Sequence, residues 1–167
     1  RQYLVENLDL VNHQVAVKPV EQNYYTEPDV RTTIDVLRQI EEKALGRVRI
    51  RFGDVRVEET TVGYKMLEFH NHQNLGYEDL PQPLTVTRET EGVWLEIPED
   101  VLAVLGTAGV DYLAGVVFAV SSVARMTTMA ESSDLGATSF HAPDAASGGT
   151  VVALVLYDFH PGGLGFA

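Results

Sequence analysis

Residues Val151–Ala167 read VVALVLYDFHPGGLGFA, and this stretch sets the fold class. From Thr150 to Leu156 the run is unbroken, apolar and rich in β-branched side chains, the pattern of a strand buried on both faces. Tyr157-Asp158-Phe159-His160-Pro161-Gly162-Gly163 then reads as a turn that opens a further element. A strand with two apolar faces is poorly served by water, so it requires a helical cover. A chain that starts at Arg1 and stops just past a glycine-rich turn is expected to be an excised domain, its function belonging to a larger protein.

Upstream of that strand, Ser132–Gly149 is rich in Ser, Ala, Gly and Asp and reads as loop. Val110–Met129 reads as a helix with Leu113, Val116, Val117, Val120, Val123 and Ala124 at helical spacing, and its Gly115, Ala119 and Ser122 permit close packing. Pro98-Glu99-Asp100 suits a first helical turn, predicting a short helix Glu99–Leu105 that ends near Gly106. Leu84–Ile97 has strand character, with Val93, Leu95 and Ile97 on one face and Trp94 on the other.

The first half reads as β. Tyr3–Leu10 and Gln14–Val20, separated by Val11-Asn12-His13, suit a hairpin. Arg31–Leu37 gives a third strand, a turn falls at Gly46, and Arg47–Phe52 alternates Val48, Ile50 and Phe52 with arginines. Val55–Phe69 continues as a long strand or hairpin arm through Gly63. His70–Pro83, with its Asn, His, Gln, Gly and Pro, reads as a loop and subdomain boundary. The expected fold is therefore α+β. An antiparallel β-rich N-terminal half, a small barrel or open sheet over 1–72, precedes a mixed strand-helix-strand half over 84–167 that is cut short at its C-terminus.

At 167 residues and 45% apolar, the chain can bury a core. The absence of cysteine excludes a disulfide framework and a thiolate zinc site within it. The most apolar segment, around Tyr112–Val120, is too short to span a bilayer, which predicts a cytoplasmic protein with no membrane partner. A net charge of −12 argues against nucleic acid, but its distribution is uneven. Eight of the twelve basic residues lie between 31 and 65 against six acids, so this stretch is locally +2 and the rest carries −14. The arginines and lysine there suit solvated strand edges, and equally phosphate contacts.

Few constellations carry chemistry. His70-Asn71-His72 places two imidazoles on one face, too few for a metal without a third ligand. Asp158 and His160 flank a strand end but meet no nucleophile elbow. Pro161-Gly162-Gly163-Leu164-Gly165 lacks the Lys-Ser/Thr of a phosphate loop and departs from dinucleotide spacing, so it reads as a positive-φ turn. Tyr24-Tyr25 suits either base stacking or a half-buried packing role. No catalytic centre and no metal site are predicted.

The segment LVLYDFHPGGLGFA resembles the YD-x-x-P-G-G-x-G motif in the C-terminal region of a group of superfamily 2 DEAD/DEAH-box DNA helicases. These are the mitomycin-repair-factor-like and RecQ-like enzymes with a cysteine-cluster-associated domain of unknown function. Tyr24-Tyr25-Thr26, Val62-Gly63-Tyr64-Lys65, Phe69–Tyr77, Thr90–Ile97, Ala114–Val120 and Asp134-Leu135-Gly136 match in the same order. The resemblance makes Tyr157, Asp158, Pro161, Gly162, Gly163 and Gly165 the family signature turn. It implies an accessory domain that follows two motor lobes, contributing to DNA strand handling or packing against those lobes, in repair or in defence. Neither a GK[ST] loop nor a DEAH box occurs, so no ATPase activity is expected of this chain. ATP and Mg belong to the parent's motor. Ala130 stands where the family usually has cysteine, and Phe118 and Ser122 where its helix often bears histidine, which implies a zinc site that is lost, relocated or cut off past Ala167. The implied partners are the motor domains and single-stranded or forked DNA, with Arg47, Arg49, Arg51, Arg56 and Lys65 as candidate phosphate contacts. The alternative is a protein-interaction or scaffolding module, for which the acidic surface is suited. An enzyme using Asp158, His160 and Asp134 is the third possibility.

Overall fold

A computed structural model describes residues 1–103, 109–143, 148–163 and 165. Seven strands and two helices run in the order β1 (Gln2–Asp9), β2 (Gln14–Val20), β3 (Tyr24–Leu45), β4 (Val48–Glu68), β5 (Asn74–Pro98), α1 (Glu99–Ala103), α2 (Gly109–Thr128), β6 (Leu135–Pro143) and β7 (Thr150–Asp158). The described chain is mostly β, in two open sheets. One holds β1 and β2, and the other has the order β3-β4-β5-β7-β6. No closed barrel forms among the described residues, so of the two expected forms the open sheet stands.

Packing divides the chain into two compact units, and neither is a single run of sequence. The first comprises Arg1–Arg31 with Thr61–Leu84, the second Thr32–Thr60 with Thr85–Ala167.

In the first unit β1 and β2 pair antiparallel, with Val5 opposite Val17 and Leu8 opposite Val15, around a bulge between Val5 and Asn7. The Asp9 carboxylate closes the turn by accepting the N–H groups of Val11 (3.0 Å) and Asn12 (2.9 Å). Together with the Asn12 side-chain amide, these bonds favour its charged form and hold its pKa below the ordinary value. Gly63 lies against the Tyr77 hydroxyl, where any Cβ would overlap it.

In the second unit β7 takes the place its composition predicts. It lies between β5 and β6, antiparallel to both, with Val155 opposite Trp94 on one side and Thr138 on the other. Val151, Val152, Ala153, Leu154, Val155 and Tyr157 are all buried. One face of β7 joins Ile34, Val55, Val57 and Trp94 in the core, against which Phe140 and Phe159 pack. The other face meets α2 around a cavity of about 50 Å³ lined by Leu154, Leu156, Val93, Leu95, Val117 and Val120. Helix α2 is therefore the cover that a two-faced strand requires. It ends where Met129 turns left-handed (φ 57°) and the Ala130 N–H reaches the Arg125 carbonyl at 3.1 Å.

Three expectations change. Ser132–Gly149 is not all loop, because Leu135–Pro143 forms β6. Its Gly, Ala and Ser have weak strand propensity, and pairing with β7 overrides it. The expected loop over 70–83 shrinks to a turn before Asn74, and β5 runs for 25 residues. Arg47–Phe52 and Val55–Phe69 fuse into β4, and the third strand extends to Tyr24–Leu45. Strand β4 stays continuous through Gly53, where a Cβ would overlap the Arg38 carbonyl oxygen. The expected end of α1 near Gly106 lies outside the described residues.

Two glycines should respond oppositely to alanine. At Gly136, directly opposite Tyr157, a Cβ would enter the Tyr157 ring, so Gly136→Ala should cost about 1–3 kcal/mol and lower Tm by several degrees. At Gly115, in α2, a Cβ meets nothing within 4 Å, and Gly115→Ala should stabilise the chain by roughly 0.5–1 kcal/mol. Thermal melts followed by circular dichroism check both.

Candidate nucleic-acid interface

The predicted residues fall into distinct settings, first among them the signature turn. Tyr157 sits near the end of β7, its ring over Gly136, and its hydroxyl donates to Glu59 Oε1 at 3.2 Å. Arg88 pairs with the other oxygen of Glu59 and stacks 5.1 Å above the Phe159 ring. Burial, reinforced by the Glu59 charge, pushes the Tyr157 phenol up to about 12. Asp158 is fully buried and its Oδ2 accepts the Gly165 N–H at 2.9 Å. Gly162 (φ 83°), Gly163 (φ 78°) and Gly165 (φ 77°) supply the left-handed backbone that the turn needs.

All three of those glycine N–H groups are used within the chain. Gly162 donates to the Glu89 carbonyl (3.0 Å), Gly163 to that of His160 (3.1 Å), and Gly165 to Asp158. Pro161 enters this turn just after His160, whose carbonyl also accepts the Thr90 hydroxyl at 2.9 Å. The turn is a fastener onto β5 rather than a cradle for phosphate. The His160 ring reaches Asp134 at 3.5 Å on the surface, while Asp158 faces inward, so the three residues of the possible enzyme site do not present to one substrate.

The candidate phosphate contacts divide between the units. Lys65, in the first, is exposed and makes no ion pair among the described residues. Arg47, Arg49, Arg51 and Arg56 belong to the second, and alternation along β4 sets Arg49 and Arg51 on one strand face. Carboxylates engage them. Arg47 pairs with Asp100 at 2.5 Å, Arg51 with Glu42 (3.1 Å) and Glu96 (3.0 Å), and Arg56 with Glu89 at 2.8 Å. The Arg47 bond holds the Asp100 carboxyl below its usual range. Arg47 and Arg49 also line an open cleft of about 540 Å³ with Glu96, Glu99, Asp100 and Thr150. A phosphate arriving here must displace carboxylates already in place.

A third setting, in the first unit, went unread as a group in the sequence. Tyr25 lies 5.4 Å from Phe69 and edge-on to His72, and its hydroxyl meets His72 Nδ1 at 2.8 Å. The motif residues around 69–77 are what bring these rings together, a signal present in their spacing only once the β4–β5 turn is known. His72 is committed to Tyr25, the chain has no cysteine, and no group of three His, Asp or Glu side chains converges among the described residues.

No protein-family model matches the chain. Similarity extends instead to helicases, and the chain spans about a fifth of their length. It is 28% identical over 170 residues to the uncharacterized ATP-dependent helicase YprA of Bacillus subtilis (strain 168), covering 99% of this chain and 22% of that protein. The crystal structure of the DUF1998 helicase MrfA bound to DNA superposes with a TM-score of 0.60 at 26% identity, over 99% of this chain and 22% of that one.

The Tyr157 network gives a pH dependence with a definite sign. A phenol whose pKa is raised from 10.0 to about 12 on folding binds its proton more tightly in the folded state. Its contribution, roughly 2–3 kcal/mol at 1.4 kcal/mol per unit, is complete below pH 10 and is lost as pH rises to 12. Denaturant midpoints measured from pH 9 to 12 should fall more steeply for the parent chain than for Tyr157→Phe.

Proposed function

We propose that this chain is an accessory domain from the C-terminal region of an ATP-dependent superfamily 2 DNA helicase, outside the motor lobes and without ATPase activity of its own. The observation that carries this reading is the similarity to YprA and to DNA-bound MrfA, which runs across 99% of the chain and matches it as one piece. ATP and Mg then act in the parent's motor. Repair or defence in the cytoplasm is the setting this implies. No described helix is long and apolar enough to cross a membrane.

The domain's contribution is DNA strand handling, with Arg47, Arg49, Arg51, Arg56 and Lys65 as phosphate contacts. Affinity for single-stranded or forked DNA should then fall steeply with salt, by about 0.7 log units per tenfold rise in salt for each single-strand phosphate neutralised. Replacing Arg49 and Lys65 with alanine should flatten that slope by the share of one to two phosphates, as read by fluorescence anisotropy across a salt titration. An unchanged slope would move the DNA role to other parts of the parent.

A protein-docking reading is favoured by a different feature. Tyr112, Phe118, Val123 and Met126 of α2 are 50%, 73%, 60% and 81% exposed, an apolar surface of the kind that marks interfaces. Such a surface suits packing against motor lobes or another partner. Under this reading DNA binding is absent at every salt concentration and a stable protein complex forms instead.

A further inference from the structure

The first unit holds a groove that the proposed phosphate contacts leave unused. Its volume is about 500 Å³, within the ~300–1,000 Å³ range of small-ligand sites, and Arg1, Gln2, Pro19, Val20, Glu21 and Phe69 line it. Phe69 is 46% exposed, and it is held there from several directions. Its N–H donates to the Asn23 carbonyl at 3.0 Å, and Tyr25 packs behind its ring at 5.4 Å. His72 braces Tyr25 in turn from a left-handed backbone position (φ 55°) that closes the β4–β5 turn.

Another part of the lining is held as well. The Gln2 amide donates to the Tyr24 carbonyl at 2.6 Å, and its carbonyl oxygen accepts the Gln22 N–H at 3.0 Å, which ties β1 to the β2–β3 connection. An aromatic ring, the apolar Pro19 and Val20, one guanidinium and one carboxylate line the same groove, a set suited to a flat group with polar edges. Peptide side chains lack that combination of a broad π-face with ring-edge donors and a nearby phosphate. A nucleotide has all three.

We infer that this groove receives an unpaired base of single-stranded DNA, stacked on Phe69, with Arg1 placed for the adjoining phosphate and Glu21 for an amino or imino N–H on the base edge. The inference rests on the reading of the chain as a DNA-handling domain. Stacking needs no net positive field, which reconciles base capture with a surface of charge −12. Every base has a π-face, so the groove is tolerant of sequence and selective for unpaired strands.

Single-stranded oligonucleotides carrying 2-aminopurine report stacking directly through fluorescence quenching. Binding to the full chain should quench the probe. Phe69→Ala should weaken single-strand affinity about five- to a hundred-fold, leave the salt slope unchanged, and abolish the quench, whereas Phe69→Trp should restore both. Phe69→Ala is expected to fold, because the ring is exposed and its backbone bond to Asn23 does not depend on the side chain; an unchanged circular dichroism melt confirms this. Binding with unaltered affinity and quench in Phe69→Ala overturns the inference and leaves the DNA-handling reading in place. Absence of any single-strand binding by the parent chain at low salt overturns both.

Discussion

The structure depends on the insertion of β7 between β5 and β6. That strand is apolar on both faces, and each face is met by a different set of residues, the Trp94 and Val55 core on one side and α2 on the other. Fully burying an aliphatic side chain contributes roughly 1.5–3 kcal/mol. Five consecutive buried residues, four of them Val or Leu, therefore make β7 a large source of cohesion in its unit. The signature turn is a direct result of this placement. Tyr157 and Asp158 emerge at the end of β7, where Glu59 of β4 and Arg88 and Thr90 of β5 can fasten the glycine turn beyond it.

The same arrangement gives the glycine-rich motif a packing role. Its N–H groups have partners in Glu89, His160 and Asp158, and its side chains form a buried tyrosine–glutamate–arginine chain capped by a phenylalanine. The features that face outward lie elsewhere, on the β4 arginines, the outer surface of α2 and the rings around Phe69. The motif most visible in the sequence thus serves to fasten the fold, and the outward-facing features sit on other residues.

How much was legible in the sequence depends on what sets each feature. β7, the first hairpin, the Gly46 turn and α2 were readable because periodicity or a turn residue specifies them locally. β6 was not, since Leu135-Gly136-Ala137-Thr138-Ser139 gains its strand form from pairing with β7, a partner some twenty residues away along the chain. The arginines of β4 were visible as alternation, but the carboxylates that engage them come from Glu42, Glu89, Glu96 and Asp100, and no local pattern reveals those pairings. The Phe69–Tyr25–His72 group joins residues 44 and more positions apart, and it too is set by tertiary contact alone.

The two interleaved units carry a consequence for how the chain is made. A ribosome delivers about 5–20 residues each second. The first unit closes once Leu84 has emerged, but the second, begun at Thr32, waits for the whole of β7. During that interval β5 offers an open edge, and Val93 and Leu95 lie on a face not yet closed by β7. That edge stays open until β7 pairs with it and ends the exposure.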